Sequence, residues 1–342
     1  MEKIKMDFMG SHHSYEILID NGILDELASR IKAVYSHDKV YIITDKNVAS
    51  YYLEYIKNLL KDDFIVNEVI VDGGEEAKSL QVYQDVCLQL LNMNIRRNEL
   101  LIALGGGVVG DLTGFIAATL YRGLPYVSIP TTLLAQMDSS IGGKTGVNLG
   151  NMKNVLGAFK QPSLVLIDPL VLKTLPRRHY NNGMGELIKH ACIGNANIIK
   201  MLYQQDEIDT KIIYQSLMVK RRFVLNDEFD QKERMKLNFG HTFGHLLELD
   251  KKRFDLLHGE AVCIGMLMAI QFGIDLGITE QSCYQKLQYI LEKYQLPTTK
   301  VNYQEYLPLI TKDKKNLAGT IHFILIKDFG QSLIYDIFES DL

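Results

Sequence analysis

The residues best suited to chemistry in this chain lie in Leu237-Asn238-Phe239-Gly240-His241-Thr242-Phe243-Gly244-His245 and, a little further on, Leu257-His258-Gly259-Glu260. His241 and His245 are four apart, so a helix places both imidazoles on one face, within reach of one small object. His258 follows the charged, turn-prone stretch Asp250 to Asp255, and a reversal there can return it to the same place. Three histidines in this short span, each beside a glycine, suggest a divalent metal, zinc above all. A lone histidine on a helix is more often a surface or core residue, and pairs four apart arise by chance. The third histidine and a plausible carboxylate upstream tip the balance toward metal. No glutamate follows the first histidine, so the pattern is not that of a zinc peptidase. Three protein ligands would leave an open position and make the ion catalytic.

That carboxylate lies in a helical stretch, residues 183–203, with Glu186, Lys189 and His190. Glu186 shares a face with Lys189 at i,i+3 and with His190 at i,i+4. An exposed ion pair would look the same. Spacing favours Glu186 as a third ligand, with His190 its rival, and leaves the choice between Glu186 and His245 open. Lys220, Arg221, Arg222 and Arg234 precede the histidines. Such a basic stretch is usually solvated, and it can equally hold an anionic substrate.

The first half must supply something else. Apolar runs at 15–19, 39–44, 65–71, 99–104, 126–130 and 165–167 read as strands. Helical spacing separates them at 24–35, 48–61 and 79–92. This alternation predicts an α/β domain with a mostly parallel sheet. The fourth of these runs leads into Gly105-Gly106-Gly107-Val108-Val109-Gly110-Asp111, where Gly-x-Gly-x-x-Gly falls between strand and helix. Glycines there let a backbone approach a pyrophosphate, and the helix N-terminus offers it free N–H groups. A merely tight turn is the alternative. The loop comes late for a Rossmann pattern, and the acid suited to a ribose hydroxyl is the earlier Asp45. Gly142-Gly143-Lys144-Thr145 echoes a phosphate loop but lacks the Walker spacing, so anion binding is kept and ATP rejected. Lys153 and Asn154 read as a second polar turn. Pro176 divides the chain into residues 1–175, a dinucleotide-binding α/β domain, and 176–342. The latter reads as mainly α, with helices at 211–226, 237–249, 259–276 and 282–294 and one hairpin at 321–326 and 332–337. The site is expected in the cleft between the two.

Composition narrows the classes. Thirty-seven basic against forty-one acidic residues give a net charge of −4, which argues against a nucleic-acid-binding surface. Cys87, Cys192, Cys263 and Cys283 are widely spaced, without a C-x-x-C, as in a reducing compartment. Neither a signal segment nor a membrane span is read, so a cytoplasmic protein is expected.

Gly-Gly-Gly-Val-Val-Gly-Asp-Leu-Thr-Gly-Phe, Pro-Thr-Thr-Leu-Leu-Ala, Asp-Ser-Ser-Ile-Gly-Gly-Lys-Thr, Asn-Phe-Gly-His-Thr-Phe-Gly-His and Leu-His-Gly-Glu-Ala-Val together resemble the 3-dehydroquinate synthase family, from Asp45 to the segment around Lys314. The resemblance implies a Rossmann-like N-terminal domain, a helical C-terminal metal domain and commonly a homodimer. It implies conversion of 3-deoxy-D-arabino-heptulosonate 7-phosphate (DAHP) to 3-dehydroquinate and phosphate. The steps are transient oxidation by NAD, β-elimination of phosphate, re-reduction and an intramolecular aldol closure. It makes Glu186, His241 and His258 the ligands of zinc or cobalt, and turns His245 into a catalytic or substrate-orienting residue. It assigns NAD to Asp45, Asn47, Glu75, Lys78, Gly106, Gly107, Val108, Asp111, Thr131, Thr132, Lys144, Lys153, Thr174 and Leu175. Asp138, Lys144, Lys189, Arg234, Asn238 and His245 form the implied catalytic set, with Arg122, Asn154, Lys220 and Lys314 for substrate. Gly73-Gly74-Glu75 and Glu233 depart from the family pattern and put the local backbone there in question. Rival readings are another sugar-phosphate cyclase, such as 2-deoxy-scyllo-inosose synthase, and a polyol dehydrogenase of the glycerol dehydrogenase type.

Overall fold

The computed structural model describes residues 1–150, 152–313 and 320–338. They form two compact units, one ending at Pro176 and the other starting at Arg177.

The first unit is built on a seven-stranded sheet. Its strands are β1 (Glu2–Phe8), β2 (His13–Ile19), β3 (Lys39–Asp45), β4 (Ile65–Val71), β5 (Leu100–Gly105), β6 (Tyr126–Pro130) and β9 (Leu164–Ile167). A separate antiparallel ribbon pairs β7 (Lys144–Leu149) with β8 (Met152–Phe159). The sheet order is β1-β2-β9-β6-β5-β3-β4, parallel throughout except for β1 against β2. All six residues of β5 and all five of β6 are buried, as expected of strands covered on both faces. Helices α1 (Leu27–Lys32), α2 (Lys46–Val48), α3 (Glu54–Leu60), α4 (Leu80–Asn92) and α5 (Gly107–Thr119) make the connections. The core is split by the sheet. Ile31, Leu53, Ile56 and Leu60 pack with Ile42 and Ile102 on one face, and Val86, Leu90, Leu112 and Ile116 with Tyr41 and Ile43 on the other.

One local expectation fails here, and one helix is less regular than its spacing implied. Residues 144–159 are a hairpin and not a pair of polar turns. Their alternation is hidden because β8 is largely exposed, with apolar Met152, Val155 and Phe159 facing outward. The helix expected at 48–61 runs through a π-helical stretch at Ala49–Leu53 before α3. In addition β1, unread in the sequence, buries Ile4, Met6 and Phe8 in strict alternation.

The second unit is mainly α: α6 (Arg177–Gly194), α7 (Ala196–Gln204), α8 (Thr210–Asn226), α9 (His241–Leu249), α10 (His258–Asp275), α11 (Ser282–Lys293) and α12 (Leu307–Asp313). One antiparallel hairpin, β10 (Thr320–Ile326) with β11 (Ser332–Phe338), completes it. The single helix expected at 183–203 is two, broken where Asn195 takes an extended conformation and caps α7 through Asn197 N–H. Almost every residue of α10 is buried, which marks it as the central helix. It packs on α6 and α9, and its crossing with α6 is made backbone to backbone. A Cβ at Gly185 would collide with the main chain of Gly259, and one at Gly259 with the carbonyl of Asn182. Gly185→Ala is therefore expected to cost about 3 kcal/mol or more, at the upper end for overpacking, because backbone cannot yield as a side chain can. Urea unfolding would register it as a lower midpoint, and an unchanged midpoint would refute the contact.

Candidate active site

The α6–α10 crossing fixes the two residues beside it, Glu186 and His258. Glu186 sits in the interior of the second unit at 1% exposure, ion-paired to the equally enclosed Lys189 one turn on. His258 opens α10, and its Nε2 lies 3.4 Å from Glu186 Oε1. His241 opens α9 after Gly240, whose φ of +78° lets the chain turn sharply into the helix. Its Nε2 is 3.5 Å from the same oxygen. One donor atom from each of the three lies within 4.8 Å of the others.

The outer nitrogens test whether this set fits a metal. His241 Nδ1 is 3.2 Å from the carbonyl of Phe239, and His258 Nδ1 is 2.6 Å from Glu248 Oε1. Each Nδ1 thus has an acceptor for its proton, and each Nε2 is the nitrogen that faces Glu186. Backbone carbonyl and carboxylate supports of this kind are what metal-bound imidazoles carry. One carboxylate oxygen and two imidazole nitrogens suit zinc or cobalt, and the arrangement fits.

Charge behaves differently at the two imidazoles. Burial pushes His241 down to about 3, so it stays neutral. At His258 burial works the same way, but hydrogen bonds to Glu186 and Glu248, with their charges, outweigh it and raise the imidazole to about 10. Below that pH the ion must displace the His258 proton. Apparent zinc affinity should therefore rise about tenfold per pH unit from pH 6 to 8, with about one proton released per ion. Calorimetry in buffers of different protonation enthalpy measures that release, and binding without proton release would count against the ligand set.

Around the cluster, His245 is exposed one turn beyond His241, their rings 5.4 Å apart and edge-on. Asn238, His241, Thr242, His245, Leu246, Leu249 and Ile310 line a cavity of about 200 Å³. Lys220 on α8 and Arg234 in the turn before α9 are enclosed cations, 4% and 3% exposed. Both segments pack on α6. Asp227 shapes the turn. Its carboxylate accepts from the N–H groups of Gln231, Lys232 and Arg234, and these donors overcome burial and lower its pKa. Arg234 Nη1 donates to the Glu228 carbonyl at 2.7 Å. Arg222 is exposed, so the basic stretch divides between interior and solvent. His190, the rival ligand, is buried with Nδ1 2.8 Å from Ser216 Oγ.

In the first unit the candidate nucleotide residues converge at the carboxyl ends of adjacent strands. Asp45 ends β3, Gly106 and Gly107 follow β5, and Thr131 and Thr132 follow β6. The sheet order reverses between β3 and β5, the crevice where dinucleotides bind in such sheets. Gly106 caps α5 without a side-chain bond, so the N–H groups of its first turn, from Gly107 and Val108 on, are available to a phosphate. Asp45 Oδ1 accepts from Asn47 N–H and Val48 N–H, which fixes the carboxylate. Lys78, 4% exposed, donates to Asp111 at 2.6 Å and also to Asn154. Asn154 N–H donates to Asn148, whose amide donates to Glu75. One network therefore joins Glu75, Lys78, Asp111 and Asn154. Thr174 is bonded to Tyr52, with Leu175 next to it closing the segment.

Other candidates are less gathered. Lys144 and Lys153 are exposed on the ribbon, and Asp138 lies on a π-helical turn, Ala135–Ser139. Arg122 follows the far end of α5, about 20 Å along the helix from Gly107. Lys314 lies outside the described residues. The two departures from the family pattern are locally sound. Gly74 has φ +96°, which glycine tolerates, and Glu233 is not in a left-handed conformation.

Sequence reasoning passed over Glu248, Glu260 and Arg178. Glu248 was findable, since it lies three residues after His245 on one helix face. Glu260 accepts from Leu257 N–H at 2.8 Å, half of a capping box. The leucine at the cap position hid that signal.

Domain models described as 3-dehydroquinate synthase N-terminal and C-terminal match residues 68–182 and 183–316. Among curated relatives, 3-dehydroquinate synthase of Clostridium beijerinckii is 41% identical over 94% of each chain. That of Clostridium perfringens is 43% identical over 94% of this chain and 95% of its own. A 2-epi-5-epi-valiolone synthase from Streptomyces hygroscopicus, solved with NAD+ and Zn2+, superposes with TM-score 0.83 at 26% identity, covering 96% and 94% of the two chains. A 2-deoxy-scyllo-inosose synthase with carbaglucose-6-phosphate, NAD+ and Co2+ gives TM-score 0.85 at 22% identity, covering 99% and 97%. A glycerol dehydrogenase from Schizosaccharomyces pombe gives 0.63 at 17%, covering 87% and 82%.

Proposed function

Since this chain belongs to the 3-dehydroquinate synthase family, we propose that it converts DAHP to 3-dehydroquinate and phosphate, with NAD on the first unit and zinc or cobalt on Glu186, His241 and His258. The observation that carries this reading is the pair of supported imidazoles facing one buried carboxylate. When bound, NAD takes and returns a hydride and the metal acidifies the hydroxyls it holds.

The chain's own groups do the rest. His245, whose imidazole lines the cavity and can both accept and donate a proton, handles the hydroxyl proton. Lys189, Lys220 and Arg234 are enclosed cations, suited to hold the carboxylate and phosphate of an acid phosphate. Asn238 adds amide hydrogen bonds from the cavity wall. Asp138, Lys144, Arg122 and Asn154 of the first unit, and Lys314, complete the assigned set. Asp45, Asn47, Glu75, Lys78, Gly106, Gly107, Val108, Asp111, Thr131, Thr132, Lys144, Lys153, Thr174 and Leu175 are assigned to NAD. Closure of the freed enolate onto its ketone needs little beyond a held conformation.

Fold alone is shared with 2-deoxy-scyllo-inosose synthase, whereas relatives near 40% identity are 3-dehydroquinate synthases. No helix among the described residues is long and apolar enough to cross a membrane. We further read the protein as a cytoplasmic homodimer acting on a small molecule, without a nucleic-acid partner. The unpaired cysteines and the net negative charge are consistent with that.

One incubation tests the reading. With DAHP and catalytic NAD+, phosphate should appear in excess of NAD+, without accumulating NADH, and EDTA should stop it. NADH without phosphate would favour the dehydrogenase, and inactivity of folded, metal-loaded protein on DAHP would refute the assignment.

A further inference from the structure

Three residues at four-residue intervals line one face of α6, namely Arg178, Asn182 and Glu186. They meet three consecutive residues at the start of α10 in reverse order. Arg178 grips Glu260 with two parallel bonds, Nε to Oε1 and Nη2 to Oε2, each 3.0 Å. Asn182 Oδ1 accepts from Gly259 N–H at 2.5 Å. Glu186 Oε1 stands 3.4 Å from His258 Nε2. The ladder's last rung is thus the metal site itself.

We infer that Arg178 is a positioning residue for the metal site, setting the register of α10 on α6 and with it the spacing of His258 from Glu186. Glu260 is the hub of this arrangement. The oxygen that takes Arg178 Nη2 also accepts Leu257 N–H at 2.8 Å, so gripping Glu260 holds the cap of α10, and His258 is the residue after that cap. Arg178 Nη2 reaches the Asp255 carbonyl as well, at 2.6 Å, and so holds the approach to the helix. The glycine contact at Gly185 and Gly259 keeps the helices close but carries no side chain to oppose sliding along the crossing. The two-pronged guanidinium supplies that resistance, because its planar fork accepts only one orientation of the carboxylate. Arg178's hydrogen bonds go to Glu260 and Asp255, and it is not among the residues lining the cavity, so its effect passes through the start of α10.

This role rests on the proposed ligand set, and the test separates the two. Full-length protein is stripped of metal, and zinc affinity is measured by chelator competition. Cobalt absorption spectra and melting temperatures are recorded alongside. Wild type is expected to bind zinc, and Glu186→Gln to bind it far more weakly. Arg178→Ala should weaken zinc binding about 10- to 100-fold, as loss of outer support does at metal sites, and shift the cobalt bands at saturation. Arg178→Lys, which keeps the charge without the fork, should fall between. If Arg178→Ala does not fold, Arg178→Lys and Glu260→Gln carry the same comparison. A lower melting temperature with unchanged zinc affinity and cobalt spectrum would reduce Arg178 to a structural tie and overturn the inference. Wild-type protein that takes up no zinc would overturn the ligand set and this role together.

Discussion

His258→Ala should lower turnover on DAHP by about 10³-fold or more and remove bound metal. Lewis-acid assistance supplies several kcal/mol, and about 4 kcal/mol corresponds to a thousandfold in rate. His258 gives one of three donors, and two donors do not hold an ion well in competition with water. Glu186→Gln should do the same to activity at nearly constant volume. It also strips the buried Lys189 of its negative partner, which costs several kcal/mol of stability where a cation has no water to turn to. His258→Ala is therefore the cleaner variant. Metal content by emission spectroscopy, together with turnover, decides it. A variant that keeps both its ion and its activity would remove His258 from the site.

His245→Gln should behave differently, and the contrast is the second large effect. The side chain lines the cavity but is exposed, and it is not among the three atoms that converge. Losing a group that moves a proton in the transition state costs about 10²- to 10⁴-fold in turnover. Metal content and NAD affinity should stay near wild type. Should the ion vanish along with the activity, His245 is a ligand after all.

Much of this arrangement was legible in the sequence because its causes are local. The apolar runs of β3 and β5 and the glycines after β5 state a parallel strand leading into an uncapped helix. Helical periodicity states that His241 and His245 share a face. What stayed open depended on contacts distant in sequence. The third donor could not be chosen by spacing, since Glu186 reaches the histidines only through the glycine crossing of α6 and α10. Burial of Lys189, Lys220 and Arg234 was likewise invisible, because a basic stretch reads as solvated whichever way its residues face. The β7–β8 ribbon was missed for the opposite reason. Its outer strand exposes apolar residues, so the usual inside-outside pattern is absent.

The proposed donors are spread over three helices that come together only when the second unit has packed. A chain still emerging from the ribosome therefore has no complete binding place for the ion, and metal uptake is a late event in its biogenesis. Once loaded, the ion favours the packed state by mass action, about 2.7 kcal/mol at a free concentration about a hundred times the dissociation constant. Cells short of zinc would then hold less of this protein as well as a less active form of it, because metal-free chains unfold more often and are cleared by proteases.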